Sequence, residues 1–384
     1  MAIALVNGRV LRDREFAEGL AVLIEGDRIA AIVPVKDAHA GSLRRVDLDG
    51  GVLLPGFIDV QVNGGGGFLF NDSRDVDTIR RIGAAHRRFG TTGFLPTLIS
   101  DDLEVVEEAM RAVDAAIEAG VPGVLGIHVE GPFLSVARKG VHDPNWFREL
   151  DEGGIRLLTS LRRGRTLVTL APEMTTPGFI DKLAAAGVIV CAGHTDASYG
   201  EIREALKHGL QGFTHLFNAM SQLTSRQPGA VGAALEDEES WCGIIVDGQH
   251  VDPAVLRIAL RCKRHDRFML VTDAMPSVGT SQKSFTLQGR AISVEGAACV
   301  DEDGNLAGSD IDMAGAVRNA VAMLGITLPE AVRMASGYPA AFLGLQDNIG
   351  RIAPGLRANL VLADDALSVR ETWIDGVSSG RLSG

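Results

Sequence analysis

Two textures of apolar and polar positions divide this chain. Up to about residue 54 they alternate in short runs, A-L-V-N-G-R-V, L-A-V-L-I-E-G-D-R-I-A-A-I and V-D-L-D-G-G-V-L-L. Turn chemistry at Asn7-Gly8 and Glu25-Gly26-Asp27 punctuates them, and no helical period of useful length appears. The tail, I-G-R-I-A-P-G-L-R-A-N-L-V-L-A-D and then T-W-I-D-G-V, returns to the same texture. Two β-rich ends around a different middle predict one small β-sandwich assembled from residues 1–54 and 349–384.

The middle, 55–348, alternates strand and helix. Apolar runs near 57–62, 93–97, 123–130, 166–172, 188–193, 211–215, 242–247 and 268–273 predict eight strands. Amphipathic helices lie between them. One carries Val106, Met110, Val113 and Ile117 with Gly120 placed to end it, and Asp252-Pro253 supplies the cap and first turn of another. Eight such alternations predict an α/β fold, a (β/α)8 barrel of the TIM type, with its chemistry at the carboxyl ends of the strands. Alternation alone does not show closure, so an open doubly wound sheet stays in view. After the eighth strand, S-F-T-L-Q-G-R-A-I-S-V-E-G-A-A-C-V-D-E-D-G-N-L reads as an inserted hairpin, followed by helices near 312–324 and 328–336.

The candidate chemistry centres on Cys191 to Met220. The strand G-V-I-V-C-A delivers His194, a helix follows with Ile202, Ala205 and Leu206 on its apolar stripe, and the strand G-F-T delivers His215. One strand–helix–strand step between them puts both imidazoles at the same end of a parallel sheet, close enough to share a metal. A lone histidine is more often part of a core, but two in equivalent positions on successive units favour ligands. The other strand ends extend the set. The first presents Asp59, Gln61 and Asn63 on one face, the third His128 and Glu130, and the eighth Asp273. Glu130, His194 and His215 form a two-imidazole, one-carboxylate site that leaves positions open for water or substrate. Asp273 then reads as a general base, against the plainer readings of a helix cap or a buried ion pair. Cys191, at an odd offset from His194, is expected to face the other way.

Charge and cysteine usage narrow the class. With 37 basic against 49 acidic residues, a net charge of −12, there is no basic stripe to displace counterions, so no nucleic-acid partner is expected. The opening M-A-I-A-L-V is broken by Asn7, Gly8 and Arg9, and no apolar run reaches the length of a membrane span. Cys191, Cys242, Cys262 and Cys299 lack paired spacing and fit reduced thiols in a cytoplasmic enzyme.

P-G-F-I-D-V-Q-V-N-G, H-V-E-G-P-F-L, G-H-T-D-A-S, T-H-L-F-N-A-M, V-D-G-Q-H and L-V-T-D-A-M stand in this order along nearly the whole chain. Together they resemble the N-acetylglucosamine-6-phosphate deacetylases of the amidohydrolase superfamily. The resemblance implies hydrolysis of an N-acetyl amide to acetate and glucosamine 6-phosphate in amino-sugar metabolism. It implies Glu130, His194 and His215 as ligands of one divalent ion per chain, zinc first, with iron, cobalt or manganese as alternatives. It implies Asp273 as acid and base and His142 as the group facing the acetamide. The matching substrate contacts are Val141 and His142, Asn218 and Ala219, Arg226, the loop Asp247-Gly248-Gln249-His250, and Leu306-Ala307-Gly308. Arg226 and His250 are implied at the phosphate, one contact coming across a homodimer interface.

Two features depart from the wider superfamily. Its frequent His-x-His after the first strand is here Gln61-x-Asn63, implying water or substrate contacts rather than a second metal, and no lysine takes the bridging position that Glu130 matches. The tetraglycine Gly64–Gly67 reads either as a lid hinge or as a loop of unusual φ angles. Two other functions remain: a different amidohydrolase, acting on cyclic amides or acylated amino acids, and a non-catalytic sugar-phosphate binder, which has no need of a base beside a metal.

Overall fold

The structure, a computed structural model, describes residues 2–38 and 44–380. Its centre is a sheet of eight parallel strands, each hydrogen-bonded to its sequence neighbour. They are β1 (Phe57–Val62), β2 (Thr91–Ile99), β3 (Gly126–Glu130), β4 (Arg165–Leu170), β5 (Ile189–Ala192), β6 (Leu210–Phe213), β7 (Trp241–Ile244) and β8 (Phe268–Leu270). The seam between β8 and β1 closes at the carboxyl end: Asp273 N donates to Gln61 O at 3.0 Å and Asn63 N to Ala274 O at 2.9 Å. Sequential neighbours and a closed seam make this a (β/α)8 barrel and remove the open-sheet alternative. All nine residues of β2 and all six of β1 are buried, as expected of strands covered on both faces.

The helices end where their caps dictate. Asp102 accepts from Glu104 N at the head of Leu103–Glu118, and the chain leaves that helix through Gly120 with φ +67°. Asp252 caps Pro253–Cys262, and Ser198 with Glu201 forms a full capping box on Tyr199–Lys207.

Two sheets lie beside the barrel, one built from both chain ends and one from the N-terminal part alone. Strands Arg9–Arg12, Glu15–Ala17 and Val52–Pro55 join Leu360–Ala363, Val369–Ile374 and Val377–Ser378 in a six-stranded sheet. Ile3–Val6, Leu20–Glu25, Arg28–Pro34 and Arg44–Asp47 form a four-stranded one. Leu5, Val22, Ile24, Leu53, Leu362 and Trp373 pack between them. Fully burying side chains of this size is worth roughly 1.5–3 kcal/mol each, which is why the distant termini meet.

The expected hairpin after β8 is a four-stranded antiparallel sheet, Ser284–Leu287, Arg290–Glu295, Ala298–Asp301 and Leu306–Ser309. Its Leu287, Ile292, Cys299 and Ala307 pack on Leu69, Ile99, Val141 and Met275 at the carboxyl end of the barrel. The tetraglycine takes the second of its two readings: Gly66 and Gly67 have φ +63° and +89°, and a Cβ on Gly64 would collide with the Phe68 carbonyl.

Candidate active site

Glu130 is the last residue of β3, and His194, His215 and Asp273 follow just beyond β5, β6 and β8. The last three adopt left-handed backbone conformations, with φ of +48°, +31° and +52°. For non-glycine residues this costs on the order of 1–3 kcal/mol each and persists only where surrounding bonds enforce it. Here they do: Ser135 N donates to His194 O at 2.9 Å, Asn218 N to His215 O at 3.0 Å and Ser309 N to Asp273 O at 2.9 Å. The turn away from strand geometry swings each side chain over the mouth of the barrel.

There the donor atoms converge. Glu130 Oε1 lies 2.9 Å from His215 Nε2 and 3.2 Å from His194 Nε2, and the two Nε2 atoms are 3.2 Å apart. His194 Nδ1 lies 2.9 Å from the Arg138 carbonyl and must donate to it, so a neutral His194 turns an Nε2 lone pair toward the Glu130 carboxylate. Lone pairs facing one another at these distances repel unless positive charge sits among them. Burial pushes the Glu130 carboxyl up, but with the two imidazoles protonated their bonds and charge more than offset it and hold the group well below the usual range. Burial pulls His215 down, and the bond and charge of Glu130 overcome that and raise it. The trio, all buried with ligand atoms within 4.8 Å of one another, is the donor set a divalent cation takes.

Asp273 is half-buried beside this trio. Burial first, then the Glu130 charge, raises its pKa, while Asn63 and Gln61 donate to its Oδ1 at 2.6 and 3.1 Å and favour the carboxylate. Gln61 Nε2 also faces both Glu130 oxygens, at 3.2 and 3.4 Å. Deeper in the barrel His128 bonds Thr169 Oγ1 at 2.7 Å and Thr97 Oγ1 at 3.3 Å, and burial pulls it down to about 4, so it is a neutral support. Cys191 does not face away from the histidines. It shares a small internal void with Gln61, His128 and His215, because β5 ends at Ala192 and the two-residue period does not run on to His194. Burial pushes its thiol up, so it is an inert core residue.

A cavity of about 470 Å³ opens above the trio. Of the residues singled out from the sequence, Asn63, Val141, His142, Asn218, Ala219, His250, Asp273, Leu306, Ala307 and Gly308 line it together with Glu130, His194 and His215. Gln61, Asp247, Gly248 and Gln249 do not line it. Asp247 Oδ2 bonds His250 Nδ1 at 2.6 Å, and Gln249 Oε1 accepts from Ala298 N of the inserted sheet at 2.7 Å. Arg226 is exposed and does not line the cavity. Ser100, Arg138 and Gln288 escaped the sequence reading. Ser100 directly follows β2 and is visible to the strand-end rule, whereas nothing local to Gln288 marks it.

Residues 52–378 match the amidohydrolase family. The chain belongs to that family. It is 47% identical over 329 residues to the N-acetylgalactosamine-6-phosphate deacetylase of Shewanella sp. (strain ANA-3), covering 86% of this chain and 83% of the relative. The crystal structure of N-acetylglucosamine-6-phosphate deacetylase from Pasteurella multocida superposes with a TM-score of 0.95 at 36% identity, over 99% of this chain and 100% of that one. An aspartate-to-alanine mutant of the Mycobacterium smegmatis N-acetyl-D-glucosamine-6-phosphate deacetylase, in complex with N-acetyl-D-glucosamine-6-phosphate, gives a TM-score of 0.88 at 33% identity, each chain being 98% covered.

Proposed function

We propose that this chain hydrolyses the N-acetyl amide of N-acetyl-D-glucosamine 6-phosphate, releasing acetate and D-glucosamine 6-phosphate. The observation that carries the reading is the convergence of Glu130, His194 and His215 with a separate carboxylate, Asp273, on one cavity. Glu130, His194 and His215 would hold a divalent ion, zinc in our reading, which when bound would acidify a water and polarise the amide carbonyl. The chain's own groups do the rest. Asp273, held by Asn63 and Gln61, takes the proton of the attacking water and returns it to the leaving nitrogen, since an amine anion is a very poor leaving group. His142, kept neutral by burial and by the nearby His194, donates to the oxygen that gains charge.

His250, fixed by Asp247, faces the phosphate end, and Arg226 reaches the phosphate of the neighbouring subunit in a homodimer, which accounts for its distance from its own cavity. Four free cysteines, three of them buried, support placing the enzyme in the reducing cytoplasm. Among the described residues no helix is long and apolar enough to cross a membrane.

The 47% identity to a galactosamine-type relative favours a second reading, in which the 4-epimer, N-acetyl-D-galactosamine 6-phosphate, is the better substrate. Acetate release measured on both epimers, and on unphosphorylated N-acetylglucosamine, tests the two together. Turnover of neither phosphorylated sugar sinks the proposal, and a higher kcat/KM for the galacto epimer selects the second reading.

A further inference from the structure

The tip of the inserted sheet reaches back to the barrel through Gln288, in the turn between Ser284–Leu287 and Arg290–Glu295. Its Nε2 donates to Ser100 O at 2.6 Å, and its Oε1 accepts from Asp143 N at 2.7 Å. One partner only accepts and the other only donates, so the amide has one orientation. Ser100 directly follows β2 and Asp143 follows His142, so a single side chain ties the strand end to the loop that carries the histidine.

Inside this tie, Ser100 Oγ lies 2.8 Å from His142 Nδ1, and Ser100 N–H points at the same nitrogen from 3.4 Å. A backbone N–H only donates, so Nδ1 accepts and carries no hydrogen. The Ser100 hydroxyl has a second acceptor at Glu130 O, but at 3.4 Å it is the weaker one. A neutral imidazole with a bare Nδ1 carries its hydrogen on Nε2. Among the described residues Nε2 of His142 has no protein partner, and the ring lines the cavity.

We infer that Ser100 and Gln288 are positioning residues for His142: Ser100 sets its tautomer and Gln288 sets the placement of its loop, so that an Nε2–H donor meets the substrate carbonyl. What His142 meets rests on the function proposed above, whereas its tautomer does not.

The test uses the zinc-loaded protein with ring-15N histidine, His142 being assigned by the signal lost in His142→Gln. Long-range proton–nitrogen spectra of the wild type show a bare Nδ1 and a protonated Nε2. In Ser100→Ala the signals of His142 move toward averaged positions as the tautomers mix. Gln288→Glu keeps the length and the acceptor for Asp143 N–H but offers nothing to Ser100 O. Its kcat falls about 10-fold while KM stays within about twofold, a split that loosened substrate binding does not produce. A protonated Nδ1 in the wild type, an unchanged spectrum in Ser100→Ala, or wild-type kcat in Gln288→Glu overturns the inference. Should Ser100→Ala fail to fold, the wild-type spectrum and Gln288→Glu still decide. A protein with the stated tautomer that releases no acetate from either sugar phosphate removes the proposed function and leaves the role of Ser100 standing.

Discussion

Asn63 Nδ2 lies 2.6 Å from Asp273 Oδ1, joining the loop after the first barrel strand to the loop after the last. An amide nitrogen only donates, so this bond and the one from Gln61 hold Asp273 as an acceptor against burial and the Glu130 charge, which favour its protonated form. Base and metal ligands therefore separate by mutation. Asp273→Asn is expected to fold and retain metal yet lose about 10²–10⁴-fold in kcat. Glu130→Ala and His215→Ala are expected to lose the metal itself. Near-normal turnover in Asp273→Asn, beside metal analysis of all three variants, eliminates the assignment.

The same two amides bear on metal count. Gln61 turns its NH2 group toward Glu130 and Asp273, so where a second ion would need lone pairs the chain presents donors. Reconstitution of the apo-enzyme is expected to saturate in activity at one equivalent of zinc per chain. A titration that keeps gaining to two equivalents rules this out.

Arg226, exposed on its own chain, tests the proposed phosphate contact across a dimer. A charge-assisted hydrogen bond is worth roughly 1.5–3 kcal/mol, so Arg226→Ala is expected to lower kcat/KM for the phosphorylated sugar about 10–150-fold. Activity on the unphosphorylated sugar stays nearly unchanged. Equal losses on both substrates make Arg226 structural.

Asp59 carries a pH dependence of stability. Burial pushes its carboxyl up to about 7, although Thr272 Oγ1 donates to Oδ2 at 2.5 Å and Gln61 N to Oδ1 at 3.2 Å. The unfolded chain ionises this group as pH rises through about 4 while the native state stays protonated to about 7, so stability falls across that window by about 1.4 kcal/mol per unit and levels off above it. Asp59→Asn has the same shape, removes that slope, and keeps an acceptor for the Gln61 N–H. Its stability advantage over the wild type, from urea unfolding at matched pH, is expected to grow from pH 4 to 7 and then hold constant. Parallel profiles for the two proteins would falsify the buried, protonated Asp59.

Local chemistry in the sequence determined the eight strands, the caps at Asp102, Asp252 and Ser198, and the four residues Glu130, His194, His215 and Asp273, because strand period, capping and strand-end position are short-range properties. Only tertiary structure decided the rest. Cys191 pairs in register with Thr169 and faces the barrel interior, and it shares that side with the histidines because the strand stopped at Ala192 before His194; where a strand stops depends on its neighbours. Gln61 and Asn63 became donors to Asp273 only when closure of β8 against β1 brought residues some two hundred positions apart into contact. Gln288 is the extreme case: its partners, Ser100 O and Asp143 N, are backbone atoms that any sequence carries, so nothing in the residue types marks the pairing, and only the packing of the insert on the barrel mouth selects it.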